Sequence, residues 1–486
     1  VSAPASSNAG AGALSAVAPG QAAQAKRWML PVLLVGQAMA AMDTAIVNVA
    51  APALHRDLGI SGALLQMVVA GYILAYAVFL ITGARLGEIF GFRRLFLSGL
   101  SVFTFASLVC GLAPTTATLI VARVVQGIGA AMMVPQVLSL IQRHFDGHER
   151  ARAIGLYSMI LGLGAALGQL LGGVIITIDL LGLSWRPAFL INVPIGLALL
   201  VYARGALPAA RDTNQRKLDI AGVFFLTLSM LLIVVALTFG REFDWASWTW
   251  ISLVCGVIGV SGFLAYEKKV ALRGGSPLLD LATIGTAGIR AGLCAVSIGF
   301  IGYGGSLFGL ALYLQGGLGL SAMVSGMVFT AYALGFGISN MNWSKLPARL
   351  LVWTPTTALL AWIAANVGFA LTAIVAGWTP AIMLPLLFVA GSSHGLSFGT
   401  LVNQMAKRVL PAQAPTLSGL VTTSVQLSIV IGIATLGTVY LGAAHAATAA
   451  SASRAIAIVT CAIALTGLGA VTCAVRLARS PQRSDA

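Results

Sequence analysis

A chain of 486 residues, 58% of them hydrophobic and only 8% charged, is not a soluble globular protein, since such proteins carry about 25% charged residues. Its mean hydropathy of +0.95 suits lipid as the solvent. The net charge of +15 is dispersed in short clusters between apolar runs, without the aromatic-interleaved basic stripe of a nucleic-acid binder, so no nucleic-acid partner is expected.

In chain order, residues 1–28 begin with an uncharged Ala-, Gly- and Ser-rich stretch and are expected to form a disordered cytoplasmic tail. No positively charged n-region precedes a cleavable apolar region there, so no signal peptide is read. Fourteen apolar runs long enough to cross a bilayer follow, at 29–50, 64–84, 94–113, 117–140, 152–177, 188–207, 219–239, 249–266, 289–314, 322–341, 352–376, 380–402, 416–441 and 454–476. An even number places both termini on one side. With that side taken as the cytoplasm, inner segments hold 23 of the 28 Lys and Arg, and outer loops hold only Arg56, Arg186, Arg241 and Arg454. The remaining one, Arg123, falls within a span. This bias sets the orientation of a multi-pass protein of the cytoplasmic membrane.

Basic segments at 204–217 and 267–290 bracket the two spans between 219 and 266. The expected architecture is therefore all-α and integral to the membrane, with 14 transmembrane helices in a 6 + 2 + 6 arrangement. A first bundle occupies 29–207, an inserted pair with its loops 208–288, a second bundle 289–476, and a cytoplasmic tail 477–486. Cys110, Cys255, Cys294, Cys461 and Cys473 are scattered through apolar segments and read as small buried hydrophobes. No metal cluster, phosphate-binding loop or nucleophile–base motif is legible, so neither a cofactor nor an enzymatic activity is expected.

Four strings carry more specific information. Between the second and third spans, TGARLGEIFGFRRLFLSG sets Gly87, Glu88, Gly91, Arg93 and Arg94 in a tight inner turn. In the fourth span, LIVARVVQGIGAAMMVP places Arg123 and Gln126 within lipid depth. An arginine facing lipid there would cost at least about 2.5 kcal/mol, so Arg123 should face a cavity or a partner. The fifth span carries Gly164, Gly168 and Gly172 at fourfold spacing, beside Gln169 and Gly173, a ladder that permits close helix packing. WRPAFLINVPIG, with Trp185, Arg186, Asn192, Pro194 and Gly196, enters the sixth.

Together with MDTAIVNVAAPAL at 42–54, these strings resemble the major facilitator superfamily, in particular its 14-helix drug:proton antiporters. The loop departs from the family pattern at Ala84 and Glu88, and the antiporter glycine motif departs at Gln169, where a proline usually stands. The resemblance implies a monomeric secondary transporter in the lipid bilayer that exchanges protons for a small organic substrate such as a drug or antibiotic. It also implies that Glu88 and the loop arginines latch one conformation. The other reading is an exporter or proton symporter of a specific metabolite.

Of thirteen acidic residues, this map puts only Asp43 well inside a span. Intramembrane carboxylates commonly serve as proton relays, and the resemblance implies a functional aspartate here. Asp43 and Arg123 lie roughly 10 Å and 9 Å below the outer ends of antiparallel spans, so they are expected to pair in one state and separate in another. With no acid in the second bundle, one proton per cycle is expected. One charge crossing 100 mV releases about 2.3 kcal/mol, enough for roughly a fifty-fold gradient. Thr44, Asn48, Gln126, Gln315 and His394 are expected to line the substrate cavity.

Overall fold

The computed structural model describes residues 19–145, 147–179, 182–208, 219–273, 275, 277, 281–410, 413–444 and 448–480. Fourteen long helices dominate: α1 (Pro19–Leu58), α2 (Gly62–Phe90), α3 (Phe92–Gly111), α4 (Thr116–His144) and α5 (Gly147–Ile178); α6 (Pro187–Ala206); α7 (Ile220–Phe239) and α8 (Ser247–Leu272); then α9 (Ile289–Ala311), α10 (Ala322–Asn342), α11 (Thr354–Val375), α12 (Pro380–Ala406), α13 (Ala414–Ala443) and α14 (Ala449–Arg479). Thirteen are long and apolar enough to cross a membrane among the described residues; α5 is the fourteenth, with Leu167–Ile178 its described apolar stretch.

Local sequence explains where helices begin. The side chains of Ser61, Thr115, Asp219, Ser321 and Thr448 each accept a hydrogen bond from a backbone N–H of the first turn, occupying a donor that lipid could not. Gly91, at φ +92°, ends α2 and starts α3. That conformation favours glycine and gives the tight turn its shape.

Three expectations need correction. Residues 19–28 are helical rather than disordered, because Ala, Gln, Lys and Arg after Pro19 are helix formers that extend α1 beyond its apolar run. Residues 1–18 lie outside the described residues. α8 continues past residue 266, so Glu267 is a second buried acid on a long helix; the apolar pattern stops at the first charge, whereas helix propensity does not. Of the cysteines, only Cys110 is fully buried, while Cys255, Cys294 and Cys461 are exposed on the bundle surface, where a thiol is apolar enough for lipid.

In the first half α1 packs on α5 and α6, and α4 on α2 and α3; in the second, α9 packs on α13 and α14, α12 on α10 and α11. The halves meet along two seams, α5 against α10 and α2 against α13. α7 and α8 pack on each other, and α7 leans on both α2 and α13. Hydrogen bonds between the halves run from Gln66 Nε2 to Thr438 Oγ1 (3.3 Å), Gln315 Nε2 to the Val49 carbonyl (3.1 Å) and Met323 N–H to Thr177 Oγ1 (2.9 Å). All three lie at the helix ends joined by the arginine-poor loops. Glu242, in the loop between α7 and α8, accepts from the Ala63 N–H at 3.3 Å on that same face.

Candidate functional site

The first half encloses a charged network. Asp43, on α1, is 1% exposed and Arg123, on α4, is fully buried; Arg123 Nη1 donates to Asp43 Oδ2 in an ion pair. Asp43 Oδ1 accepts from Gln126 Nε2 at 2.9 Å and Asn192 Nδ2 at 3.0 Å. Gln126, one turn beyond Arg123, accepts from Arg123 Nη1 at 2.8 Å and donates to Ser107 Oγ at 2.8 Å. Arg123 Nε reaches the Val68 carbonyl at 3.2 Å. Four helices besides α1 thus contribute to holding one carboxylate.

Arginine suits this place because its planar cation also stacks on rings. The guanidinium carbon lies 4.4 Å from the Tyr72 ring centre and 5.5 Å from that of Phe189. Phe189 stands edge-on to Trp185 at 5.9 Å, and Arg186 covers the Trp185 ring at 4.8 Å. The WRPAFLIN string therefore builds one wall of the network, with Phe189 beneath the cation, Trp185 behind Phe189 and Asn192 on the anion. Gly196 lets α6 close on α3, since a Cβ there would stand 2.0 Å from Thr104 Oγ1. Pro194 is exposed.

The glycine ladder fits α5 to α1 beside this site. A Cβ at Gly164 would meet Ala41, one at Gly168 the Met42 carbonyl at 2.5 Å, and one at Gly172 Ile46. Gly173 and Gln169 face the other half: a Cβ at Gly173 would meet the Ala322 carbonyl at 2.7 Å, and one at Gly326 the Gln169 carbonyl at 2.5 Å. Gln169 is 2% exposed, and neither polar atom of its side chain has a hydrogen-bond partner among the described residues.

The remaining candidates are dispersed. Thr44 and Asn48 bond to their own helix, Thr44 to the Ala40 carbonyl and Asn48 to those of Thr44 and Ala45; among the described residues neither side chain hydrogen-bonds the Asp43 carboxylate. Gln315, just beyond α9, donates to the Val49 carbonyl of α1. In the loop, Glu88 pairs with Arg85 at 3.7 Å on its own helix, Arg93 bonds the Arg204 carbonyl, and Arg94 is exposed. Gly87 clears space for Gln136, whose Nε2 bonds the Gly83 carbonyl at 2.9 Å.

His394, on α12, is 2% exposed in an aromatic cage. Its Nδ1 is 2.7 Å from the Tyr332 hydroxyl, and ring centres of Phe300, Phe336 and Trp362 lie 4.7, 5.3 and 5.7 Å away. Glycines of α9 make the room: a Cβ at Gly299 would stand 3.0 Å from His394, and one at Gly302 would stand 2.7 Å from Trp362.

Sequence reasoning missed Ser107 and Tyr72, and it filed Asn192 as a signature residue rather than a partner of Asp43. A polar side chain recurring in otherwise apolar helices at matching depth was the available signal for Ser107 and Asn192. Tyr72 gave none.

Fourteen long helices, thirteen of them long and apolar enough to cross a membrane among the described residues, define a multi-pass membrane protein. A sequence model of the Major Facilitator Superfamily matches residues 33–433, and the chain belongs to that superfamily. It is 35% identical over 429 residues to the probable actinorhodin transporter of Streptomyces coelicolor, covering 87% of this chain and 74% of that protein. Identity to the puromycin resistance protein pur8 of Streptomyces alboniger is 33%, covering 86% and 82%. The cephamycin export protein CmcT of Amycolatopsis lactamdurans is 32% identical, with 82% and 81% covered. Among solved structures, an inward-facing, unoccupied bacterial homolog of the human lysosomal transporter Spinster superposes with a TM-score of 0.67 at 17% identity, covering 96% and 98%. An auto-inhibited peptide transporter of the POT family gives 0.68 at 14%, covering 94% and 98%. A small-molecule substrate within the bilayer follows from the family; the chain is a transporter and not an enzyme.

Proposed function

We propose that the protein exports a small organic molecule, of the drug or antibiotic kind, across the cytoplasmic membrane in exchange for protons, with both termini in the cytoplasm and one chain as the working unit. The observation that carries this reading is Asp43, a buried carboxylate held by Arg123, Gln126 and Asn192. Its relatives' names, a transporter, a resistance protein and an export protein, support the direction of travel.

The network lends itself to exchange of a proton for an arginine. When a proton binds Asp43 Oδ2, Arg123 loses its counter-charge there but keeps the Tyr72 and Phe189 faces and the Val68 carbonyl. The freed guanidinium can then shift without leaving its buried site. α1 rests on α5 through Gly168 at Met42, the neighbour of Asp43, and α5 rests on α10 through Gly173. A small displacement of α1 therefore passes to the seam between the halves, whose rocking gives alternating access. The seam bonds at the arginine-poor face, read as the outside, correspond to a state closed on that side.

Efflux from everted vesicles under an imposed pH gradient tests this. Gradient-driven transport in the wild type, abolished in Asp43→Asn at equal expression, is expected. Undiminished transport in Asp43→Asn would place coupling elsewhere.

A further inference from the structure

A buried cation, Arg408, lies just beyond α12 at one corner of the second half, 3% exposed. Its Nη1 donates to the Gln404 carbonyl at 2.7 Å, and its Nη2 to the carbonyls of Leu477 (2.7 Å) and Ser480 (3.0 Å) at the end of α14. A Cβ on Gly288, just before α9, would stand 3.1 Å from its Nε. Arg408 therefore gathers the end of α12, the end of α14 and the start of α9, and it answers carbonyl ends rather than a carboxylate.

Four more cations occupy exposed positions at this corner. Arg290 follows Gly288 by two residues, Lys407 adjoins Arg408, and Arg476 and Arg479 adjoin Leu477 and Ser480. None of the four makes an ion pair among the described residues, and residues 281–484 include no acid at all. Five positive charges from three helix ends thus share one surface with no counter-charge from the bundle that carries them.

The surface of α14 indicates what kind of anion fits. Cys461, Leu465, Leu468, Thr472, Arg476 and Arg479 are all exposed, and their spacing of three or four residues sets them on one stripe. The stripe is apolar at its start and basic at its end. From Leu465 to Arg476 it runs about 16 Å along the axis, close to half of a hydrocarbon core of about 30 Å. On α9, which packs alongside, exposed Cys294 stands one turn from Arg290. A diacyl lipid has this polarity over this length, whereas a free phosphate would use the basic end alone.

We propose that this corner binds an anionic phospholipid, with its headgroup phosphate at Arg290, Lys407 and Arg476 and an acyl chain along Leu465 and Leu468. The site is separate from the Asp43 network and does not depend on the direction of transport. Each cation near an anionic headgroup strengthens binding about fivefold, and salt should weaken it.

Native mass spectrometry of the purified full chain in detergent tests this, with dioleoylphosphatidylglycerol, dioleoylphosphatidylcholine or inorganic phosphate added in turn. The wild type is expected to hold phosphatidylglycerol at least about tenfold more tightly than phosphatidylcholine, and not to retain phosphate. Arg290→Gln, Lys407→Gln and Arg476→Gln together should weaken phosphatidylglycerol binding at least about tenfold. Lys268→Gln, Lys269→Gln and Arg273→Gln together remove the same charge from exposed positions at the end of α8 and should leave that binding unchanged. Should the first triple variant unfold, Arg476→Gln alone, expected to bind about fivefold more weakly, decides the matter. Equal binding of the two lipids, phosphate retained as well as phosphatidylglycerol, or no greater loss at this corner than at α8 would each overturn the assignment.

Discussion

The two six-helix bundles share an architecture and differ in chemistry. The first buries an aspartate, an arginine, a glutamine and an asparagine in one mutually bonded cluster. The second has no acid from residue 281 to 484 and surrounds the buried His394 with aromatic rings. In lipid, a charge is retained only where several partners hold it, so the concentration of partners around Asp43 marks the half that handles charge. The second half carries aromatic rings around His394 instead.

The contrast breaks most directly at Arg123. Arg123→Leu strands a buried carboxylate, and removing one partner of a buried pair costs about 3–5 kcal/mol. Thermal unfolding in detergent should show a large drop in midpoint. The double variant Asp43→Asn, Arg123→Leu should recover much of that loss while transport stays absent; no recovery would mean that Arg123 matters for reasons other than its charge partner.

Next in size is the packing that links the halves. At Gly168 a Cβ would stand 2.5 Å from the Met42 carbonyl, and overpacking of this kind costs about 1–3 kcal/mol. Gly168→Ala should lower the unfolding midpoint and slow efflux, whereas at Gly205, where a Cβ meets nothing within 4 Å, Gly→Ala should do neither.

Asn192→Ala removes a single hydrogen bond to the carboxylate, worth about 1.5–3 kcal/mol when one group is charged. Its expected signature is a displaced pH dependence of efflux, with substrate affinity unchanged. The smallest effect belongs to the second half: Tyr332→Phe deletes one neutral hydrogen bond to His394, about 0.5–1.5 kcal/mol, and should lower the unfolding midpoint slightly while proton exchange keeps its pH profile. A shifted profile there would give the histidine a place in coupling and blur the contrast.

Much of this was legible in the sequence. Apolar runs yielded the fourteen helices, because lipid imposes length and composition directly. The pairing of Asp43 with Arg123 was legible because two charges at one depth in apolar helices have few other solutions. The intrahelical bonds of Thr44 and Asn48 were not legible, since a hydroxyl or amide bonded to its own helix looks the same in sequence as one bonded elsewhere. The aromatic cage of His394 was not legible. Aromatic residues in apolar helices are ordinary core, and only the packing of the helices shows which of them meet one histidine. Helix ends were misjudged at residues 19–28 and at Glu267 because hydropathy reports where lipid ends, not where hydrogen bonding along the backbone ends.

The central claim is that the first half carries the proton. Proteoliposomes holding a pH-sensitive dye in the lumen can record proton flux driven by an imposed substrate gradient, in Asp43→Asn and in His394→Gln. Loss of substrate-driven proton flux in Asp43→Asn, with flux still coupled in His394→Gln, is the predicted result. Coupled flux surviving in Asp43→Asn and lost in His394→Gln would contradict it and move the proton to the second half.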